Sequence, residues 1–174
     1  MDFVAVRDLQ TARERQDDIP KSKGVYLVLL EVFGSPPVRD VNAHAQWTRS
    51  RKELMTFWVP DEPTLYIGKA GARRSGLRGR ISALIRFSQN GTASHRGGYR
   101  LWQVNDHSNY LVGWQLDGDP GWGEYELVDA FRTEHAGRQP FANIETVNPP
   151  KLARIAPRPT QQISLHAGLK RGAF

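Results

Sequence analysis

Two short apolar segments, each with one tyrosine and one glycine, constrain the fold of this chain most. Gly24-Val25-Tyr26 opens an apolar run over residues 25–33, and Tyr66-Ile67-Gly68 lies in a shorter run over residues 64–68. Continuous apolar runs are typical of core strands that are buried on both faces of a sheet. Each tyrosine hydroxyl in such a strand needs a polar partner or a solvated cleft. We therefore predict two core strands, although either tyrosine alone also fits ordinary aromatic packing in a sheet.

The remaining patterned segments predict helices and strands around these two. Leu77, Ile81 and Leu84 recur at helical spacing and predict an amphipathic helix over residues 77–87. The other predicted elements are helices over residues 4–15 and 122–136 and strands over residues 99–104 and 109–116. Because strands and helices do not alternate regularly, the order of elements predicts an α+β fold, with a small central sheet flanked by helices.

The segment between the two core strands, residues 34–63, is interpreted as an insertion. Its first residues, Gly-Ser-Pro-Pro, are a combination that ends strands. We predict within it either a helix around residues 42–54 or an extra hairpin, and a short strand over residues 57–59. Residues 1–147 are expected to form one domain that contains this insertion, and residues 148–174 a basic, proline-containing arm.

Composition and charge exclude several classes of protein. The 174 residues include no cysteine, which rules out disulfides, thiol catalysis and cysteine-ligated zinc. No apolar run approaches the roughly 20 residues that span a bilayer, and residues 1–20 lack the apolar core of a signal peptide, so we expect a cytoplasmic protein without a membrane partner. The net charge of +6 favours a nucleic-acid partner, because Lys and Arg displace counterions from phosphates. A generally basic surface without such a partner fits the charge equally well.

A glutamate at the start of the last predicted helix is unusually placed. Leu127, Val128 and Phe131 form the apolar stripe of this helix, and Glu124 lies on the same side of it. A carboxylate on a buried stripe is unfavourable unless a metal ion, an arginine or the amides of the helix N-terminus compensate its charge. The position therefore predicts either a metal ligand or a carboxylate that the helix dipole alone favours.

Together, these residues resemble the GIY-YIG nuclease superfamily between residues 24 and 143. Its two motifs correspond to Gly24-Val25-Tyr26 and Tyr66-Ile67-Gly68, and Lys69 follows the second motif as a lysine often does in the excision-repair endonuclease subunit. The resemblance implies a three-stranded mixed sheet flanked by helices, and hydrolysis of phosphodiester bonds with Mg²⁺ or Mn²⁺. DNA is the expected substrate, and a protein partner for targeting is compatible with this assignment.

The resemblance also implies roles for individual residues. Tyr26 or Tyr66 acts as the general base that activates water, or assists it, and Glu124 binds the metal ion. Arg80 neutralises charge in the transition state, while Lys69 positions the substrate or the tyrosines. A tyrosine with an ordinary pKa of about 10 is a poor base at neutral pH, so the nearby cations are expected to lower that pKa.

The choice of Arg80 rests on the family pattern and on helical geometry. The pattern of a leucine, two residues, an arginine and an aliphatic residue fits Leu77 and Arg80. Arg80 borders the apolar stripe of its helix, whereas Arg78 is expected to project towards solvent, where it can still contact a phosphate. Expected substrate-binding residues are Lys69, Arg73, Arg74, Arg78 and His95.

An asparagine after the last helix completes the expected catalytic set. Pro140 and Asn143 resemble the Pro-x-x-Asn of the family, in which the asparagine supports the site, although an asparagine after a proline is by itself typical of a turn. The interval from Glu124 to Asn143 and the loop before Arg80 are a few residues longer than in the family. These departures and the insertion before Tyr66 are the grounds for the alternative hypothesis, a catalytically idle nucleic-acid-binding or interaction module on the same fold. Against it, all five expected residue types are present in the order of the family. The third hypothesis is an unrelated basic α+β domain.

Overall fold

The computed structural model describes residues 5–30, 38–42, 44–90, 96–105 and 109–150. The predicted contact His95 and most of the predicted arm, residues 151–174, lie outside these ranges. Among the described helices, none combines the length and the apolar character that a membrane span requires.

The described residues form four strands and four α-helices. In chain order these are β1 Ala5–Asp8, α1 Leu9–Glu14, β2 Gly24–Leu29, α2 Arg51–Phe57, β3 Thr64–Ala70, α3 Gly76–Asn90, β4 Leu111–Leu116 and α4 Pro120–Glu134. Four 3-10 segments lie at Gln16–Asp18, Ala45–Trp47, Arg73–Ser75 and Arg96–Gln103.

The four strands form one sheet in the order β1-β4-β2-β3. The fold is α+β, as predicted, with β2, β3 and β4 as the three core strands. The resemblance implied a mixed sheet, but every neighbouring pair is antiparallel. The reason is that β3 returns directly beside β2 after the insertion, and β4 runs opposite to β2 along its other edge.

The side chains of β2 alternate between two core layers, so α3 and α4 lie on opposite faces of the sheet. Tyr26 and Val28 pack with the apolar stripe of α3, whereas Val25, Leu27 and Leu29 pack with that of α4. The two stripes consist of Leu77, Ile81, Leu84 and Ile85 on α3, and Leu127, Val128 and Phe131 on α4. Because burial of each such side chain is worth roughly 1.5–3 kcal/mol, the sheet fixes both helices firmly.

Two predicted elements are different in the structure. In the segment 4–15, residues 5–8 form an edge strand paired with β4, and only residues 9–14 are helical, after an N-cap in which Thr11 N donates to Asp8 Oδ1 over 2.7 Å. Residues 99–104 were predicted as a strand, but residues 96–103 form a 3-10 segment. Residues 99–103 of this segment are buried. The hydroxyl of Tyr110 donates to Leu101 O over 2.6 Å. In a short, mostly apolar run of this kind, the spacing of apolar residues does not distinguish a strand from a helix.

The insertion packs into the same core as the sheet. Its helix α2 begins later than predicted, after the N-cap Ser50, which accepts a hydrogen bond from Glu53 N. This helix ends at Phe57, and Trp58 follows in extended backbone without pairing as a strand. The prediction of a short strand over residues 57–59 is therefore wrong. Leu54 and Trp58 are buried, and the ring of Trp58 meets that of Phe141 edge-on at 5.5 Å.

Candidate active site

The two motif tyrosines meet on one face of the sheet. β2 and β3 pair with Tyr26 opposite Gly68 and Val28 opposite Tyr66, so the tyrosines are diagonal neighbours with ring centroids 5.9 Å apart. Their hydroxyls are hydrogen-bonded, and this bond raises the pKa of Tyr26 and lowers that of Tyr66. When Tyr66 is ionised, Tyr26 is therefore the donor and Tyr66 the acceptor.

The glycine of the second motif makes room for this pair. A Cβ atom on Gly68 would lie 2.6 Å from Tyr26 Cζ, 2.7 Å from the Tyr26 hydroxyl oxygen and 2.8 Å from Tyr66 Cε1. These distances are far below van der Waals contact. Any side chain at this position would thus displace one of the tyrosine rings.

Arg80 reaches both hydroxyls from α3. Its guanidinium hydrogen-bonds to Tyr26 and to Tyr66, and it can act only as the donor. The ionised oxygen of Tyr66 consequently accepts hydrogen bonds from Tyr26 and from Arg80. This is the environment that stabilises a phenolate at Tyr66 if its proton leaves.

Both tyrosine pKa values nevertheless lie above the ordinary value. Burial is the largest cause at Tyr26 and at Tyr66, because it disfavours the phenolate. Arg80 lowers both pKa values, as expected, but does not outweigh burial, and the charge of Glu124 raises the pKa of Tyr66 further. The expectation that the nearby cations bring the tyrosine pKa below its ordinary value is therefore wrong for the protein alone.

Glu124 lies near the start of α4 and forms an ion pair with Lys69 of β3. Asp119 caps this helix by accepting from Trp122 N, and Pro120 occupies its first turn. The Glu124 side chain is only 12% exposed, and its Oε2 lies 2.8 Å from Lys69 Nζ, whose side chain is 50% exposed. The carboxylate is thus compensated by a cation that solvent can reach, and not by the helix dipole alone.

These groups line one cleft of about 400 Å³. Eight of its lining residues have polar or charged side chains: Tyr66, Lys69, Arg80, Glu124, Asn143, Glu145, Thr146 and Asn148. Tyr26 is fully buried behind Tyr66. The structure therefore brings all five residues of the predicted catalytic set, together with Lys69, to a single location from five different parts of the chain.

Asn143 holds the edge of β3. Its Oδ1 accepts from Ile67 N and its Nδ2 donates to Ile67 O, both at 2.9 Å, and Ala142 N donates to Leu65 O at 2.8 Å. The amide side chain thus acts as one more strand residue and fixes the backbone between Tyr66 and Gly68. Its own polar atoms are engaged, so Asn143 is a positioning residue in this arrangement.

The arginines predicted to bind substrate differ in their exposure and in their hydrogen bonds. Arg73 is exposed in the turn before α3, and Arg74 lies in the same turn, although nothing is described of its side chain. Arg78 does not project freely into solvent as expected. Its guanidinium donates to Asp17 Oδ1 at 2.6 Å, to Asp17 O at 2.7 Å and to Ile19 O at 2.9 Å, and so ties α3 to the segment before β2.

The cleft contains one feature that sequence reasoning missed. Glu145 is an exposed second carboxylate on its lining. Its position two residues beyond Asn143 was the only available signal, because the asparagine carries the following residues to the same edge of the sheet. No group of three or more His, Asp or Glu side chains able to hold a metal ion occurs in the part of the chain that the structure describes.

The donor set still fits a hard divalent ion. Mg²⁺ typically binds one or two carboxylates and completes its shell with water and substrate phosphate. Glu124 supplies one such carboxylate, and its Oε2 forms the ion pair with Lys69. Lys69 would have to release Oε2 for bidentate binding, which its half-exposed side chain permits.

Comparison of the chain with protein-family models, with curated proteins and with solved structures found no match.

Proposed function

We propose that this protein is a divalent-metal-dependent nuclease of GIY-YIG type that hydrolyses phosphodiester bonds in DNA. One observation carries the proposal: Tyr66, Arg80 and Glu124, which come from β3, α3 and α4, line the same cleft. A general base, a cation for phosphoryl charge and a carboxylate for a metal ion are the groups that phosphodiester hydrolysis requires. The resemblance to the family had selected the same three residues without reference to their positions in space.

Tyr66 is the better candidate for the general base. It lines the cleft, whereas Tyr26 is fully buried, and the hydrogen bond between them raises the pKa of Tyr26 and lowers that of Tyr66. Tyr26 and Arg80 stabilise the Tyr66 phenolate by donating to it. In the proposed reaction this phenolate takes a proton from water, the water oxygen bonds to phosphorus, and the bond from phosphorus to the leaving sugar oxygen breaks. The leaving oxygen takes a proton from solvent. Since burial raises the pKa of Tyr66, the phenolate is a minor species at neutral pH, and the rate should increase as the pH rises.

Arg80 and Glu124 complete the proposed chemistry. The Arg80 guanidinium, which is always charged, faces the phosphate and offsets the negative charge that develops on its oxygens. Glu124 would hold the divalent ion, which when bound supplies Lewis-acid stabilisation of the same charge. With a metal ion on Glu124, the half-exposed Lys69 would be able to turn its ammonium to the phosphate backbone.

The test is cleavage by the purified chain of circular plasmid, single-stranded DNA and RNA, with Mg²⁺ or Mn²⁺ and, separately, with EDTA. We expect metal-dependent cutting of DNA. Binding in EDTA without cutting in either metal would instead support the idle module, and cutting of RNA alone would overturn the substrate assignment.

A further inference from the structure

A second cavity, of about 180 Å³, lies next to the cleft and contains two arginines. Arg100 and Arg138 line it, and so do Thr56 and Phe57 from the insertion helix α2. Asn143 and Ile144 line both this cavity and the cleft, so the two cavities adjoin. None of the lining residues is acidic.

Arg100 is buried without a carboxylate partner in the described part of the chain. The residue is 8% exposed, its Nη1 donates to Phe141 O at 3.1 Å, and its guanidinium carbon lies 3.5 Å from the centroid of the Phe57 ring. Tyr99 accepts a further hydrogen bond from it. Its Nε has no hydrogen-bond partner among the described residues, and burial lowers its pKa.

Glu53 does not neutralise this charge. It raises the pKa of Arg100 less than burial lowers it. The carboxylate of Glu53 already pairs with Arg49 Nε at 3.1 Å. A buried guanidinium with incomplete hydrogen bonding is unfavourable unless an anion joins it, which makes the cavity a site for a negatively charged group.

Arg138 gives the same cavity an accessible cation. The residue is exposed, and one of its nitrogens, Nη1, donates to Trp58 O at 3.2 Å. The guanidinium of Arg138 has donors to spare, because a guanidinium carries five N–H groups. One buried and one exposed arginine thus line the same cavity.

We propose that this second cavity binds a phosphate group of the nucleic-acid strand whose scissile bond lies in the cleft. The inference rests on the proposed function, and it adds a subsite that the insertion builds, since Thr56 and Phe57 belong to residues 34–63. The volume is below the roughly 300–1,000 Å³ of pockets for drug-sized ligands, so it suits a phosphate group and not a whole nucleotide. The lining residues Asn143 and Ile144, which the two cavities share, place the second cavity directly beside the cleft.

The test is a double-mutant cycle between Arg138 and single phosphates of a bound oligonucleotide. Equilibrium binding of single-stranded DNA is measured in EDTA, where no cutting occurs, with one neutral methylphosphonate placed at each position in turn. Arg138→Gln is compared with wild type, and Arg86→Gln, which removes an exposed arginine that lines neither cavity, is the matched control. Arg138 is used because the buried Arg100 also contributes to packing.

We expect one methylphosphonate position to weaken wild-type binding about tenfold and to have little effect in Arg138→Gln, while Arg86→Gln responds as wild type does. The slope of log affinity against log salt should also be smaller by about 0.7 in Arg138→Gln, which corresponds to one lost phosphate contact. Two results would overturn the subsite. In the first, each methylphosphonate weakens the binding of wild type and of Arg138→Gln by the same factor. In the second, Arg138→Gln and Arg86→Gln change the affinity and its salt dependence equally. Metal-dependent cutting would then still support the nuclease, whereas failure of wild type both to bind and to cut would overturn both proposals.

Discussion

Gly68 determines how closely the two tyrosines approach each other, because their rings occupy the space that a side chain at this position would need. The hydrogen bonds among Tyr26, Tyr66 and Arg80 depend on this contact. At the scale of single residues, the motif glycine is therefore explained by packing, and the tyrosine pKa values are dominated by burial.

Replacing this glycine tests the packing argument. Gly68→Ala should lower the free energy of unfolding by about 1–3 kcal/mol, because the added methyl group forces the tyrosine rings out of their places. Gly71→Ala is the matched control, since a Cβ there would meet no atom within 4 Å. Urea unfolding of both variants measures the difference, and equal stability of the two would contradict the packing argument.

The raised tyrosine pKa values predict a loss of stability at high pH. Because burial raises the folded-state pKa of Tyr26 and Tyr66 above the unfolded value of about 10, their contribution is complete below that pH and is lost as the pH rises through the folded-state pKa. Urea unfolding between about pH 8 and pH 11 should show this loss. The loss should be smaller in Tyr26→Phe, which has no phenol to ionise, and identical pH dependence in the two proteins would refute the assignment.

At the scale of elements, the outer edge of strand β3 is hydrogen-bonded by residues that follow α4 in the chain. Ala142 and Asn143 bond to the outer edge of β3, where a further strand would otherwise pair. This pairing positions Tyr66 and Lys69, and it also carries Glu145 to the cleft.

Removal of the asparagine side chain should therefore affect the fold as well as activity. Asn143→Ala leaves the N–H and C=O of Ile67 without partners and should lower the free energy of unfolding by about 2–4 kcal/mol. Hydrogen exchange at the Ile67 amide should become faster. Asn148→Ala, at an exposed position that also lines the cleft, should change neither quantity, and unaltered exchange at Ile67 in Asn143→Ala would show that Asn143 does not hold the strand.

The sequence alone was enough to predict two kinds of element: helices with one apolar stripe at helical spacing, and strands whose residues are all apolar. The stripe of α3 and the fully apolar β2 are examples, and both were predicted. It was insufficient for residues 96–103, where tertiary contacts to Tyr110 and the core, and not local periodicity, decide the conformation. β1 was missed for a similar reason, since its strand conformation depends on the free edge of β4.

The same distinction applies to the candidate site. The residue types of the site were predicted because each stands in a recognisable local pattern. The ties of Arg78 to Asp17 and Ile19, the burial of Arg100 and the net direction of the tyrosine pKa values depend on contacts between distant segments. No single stretch of sequence contains them.

At the scale of the whole molecule, two adjoining cavities share one wall, and both contain arginine. The cleft also holds the carboxylates Glu124 and Glu145, whereas the second cavity has no acidic lining residue. This division suits a substrate that is held at one phosphate and cut at another, with the net charge of +6 favouring its approach.

The most direct measurement compares single-turnover cleavage of DNA by Glu124→Gln and Glu145→Gln in Mg²⁺, with binding and urea unfolding measured in parallel. Both substitutions remove a carboxylate from the lining of the same cleft, but only Glu124 is largely buried. The proposed chemistry predicts that Glu124→Gln cuts at least about a hundredfold more slowly while it still binds DNA, and that Glu145→Gln cuts within a few-fold of wild type. Cutting by a folded Glu124→Gln at the wild-type rate would contradict the account.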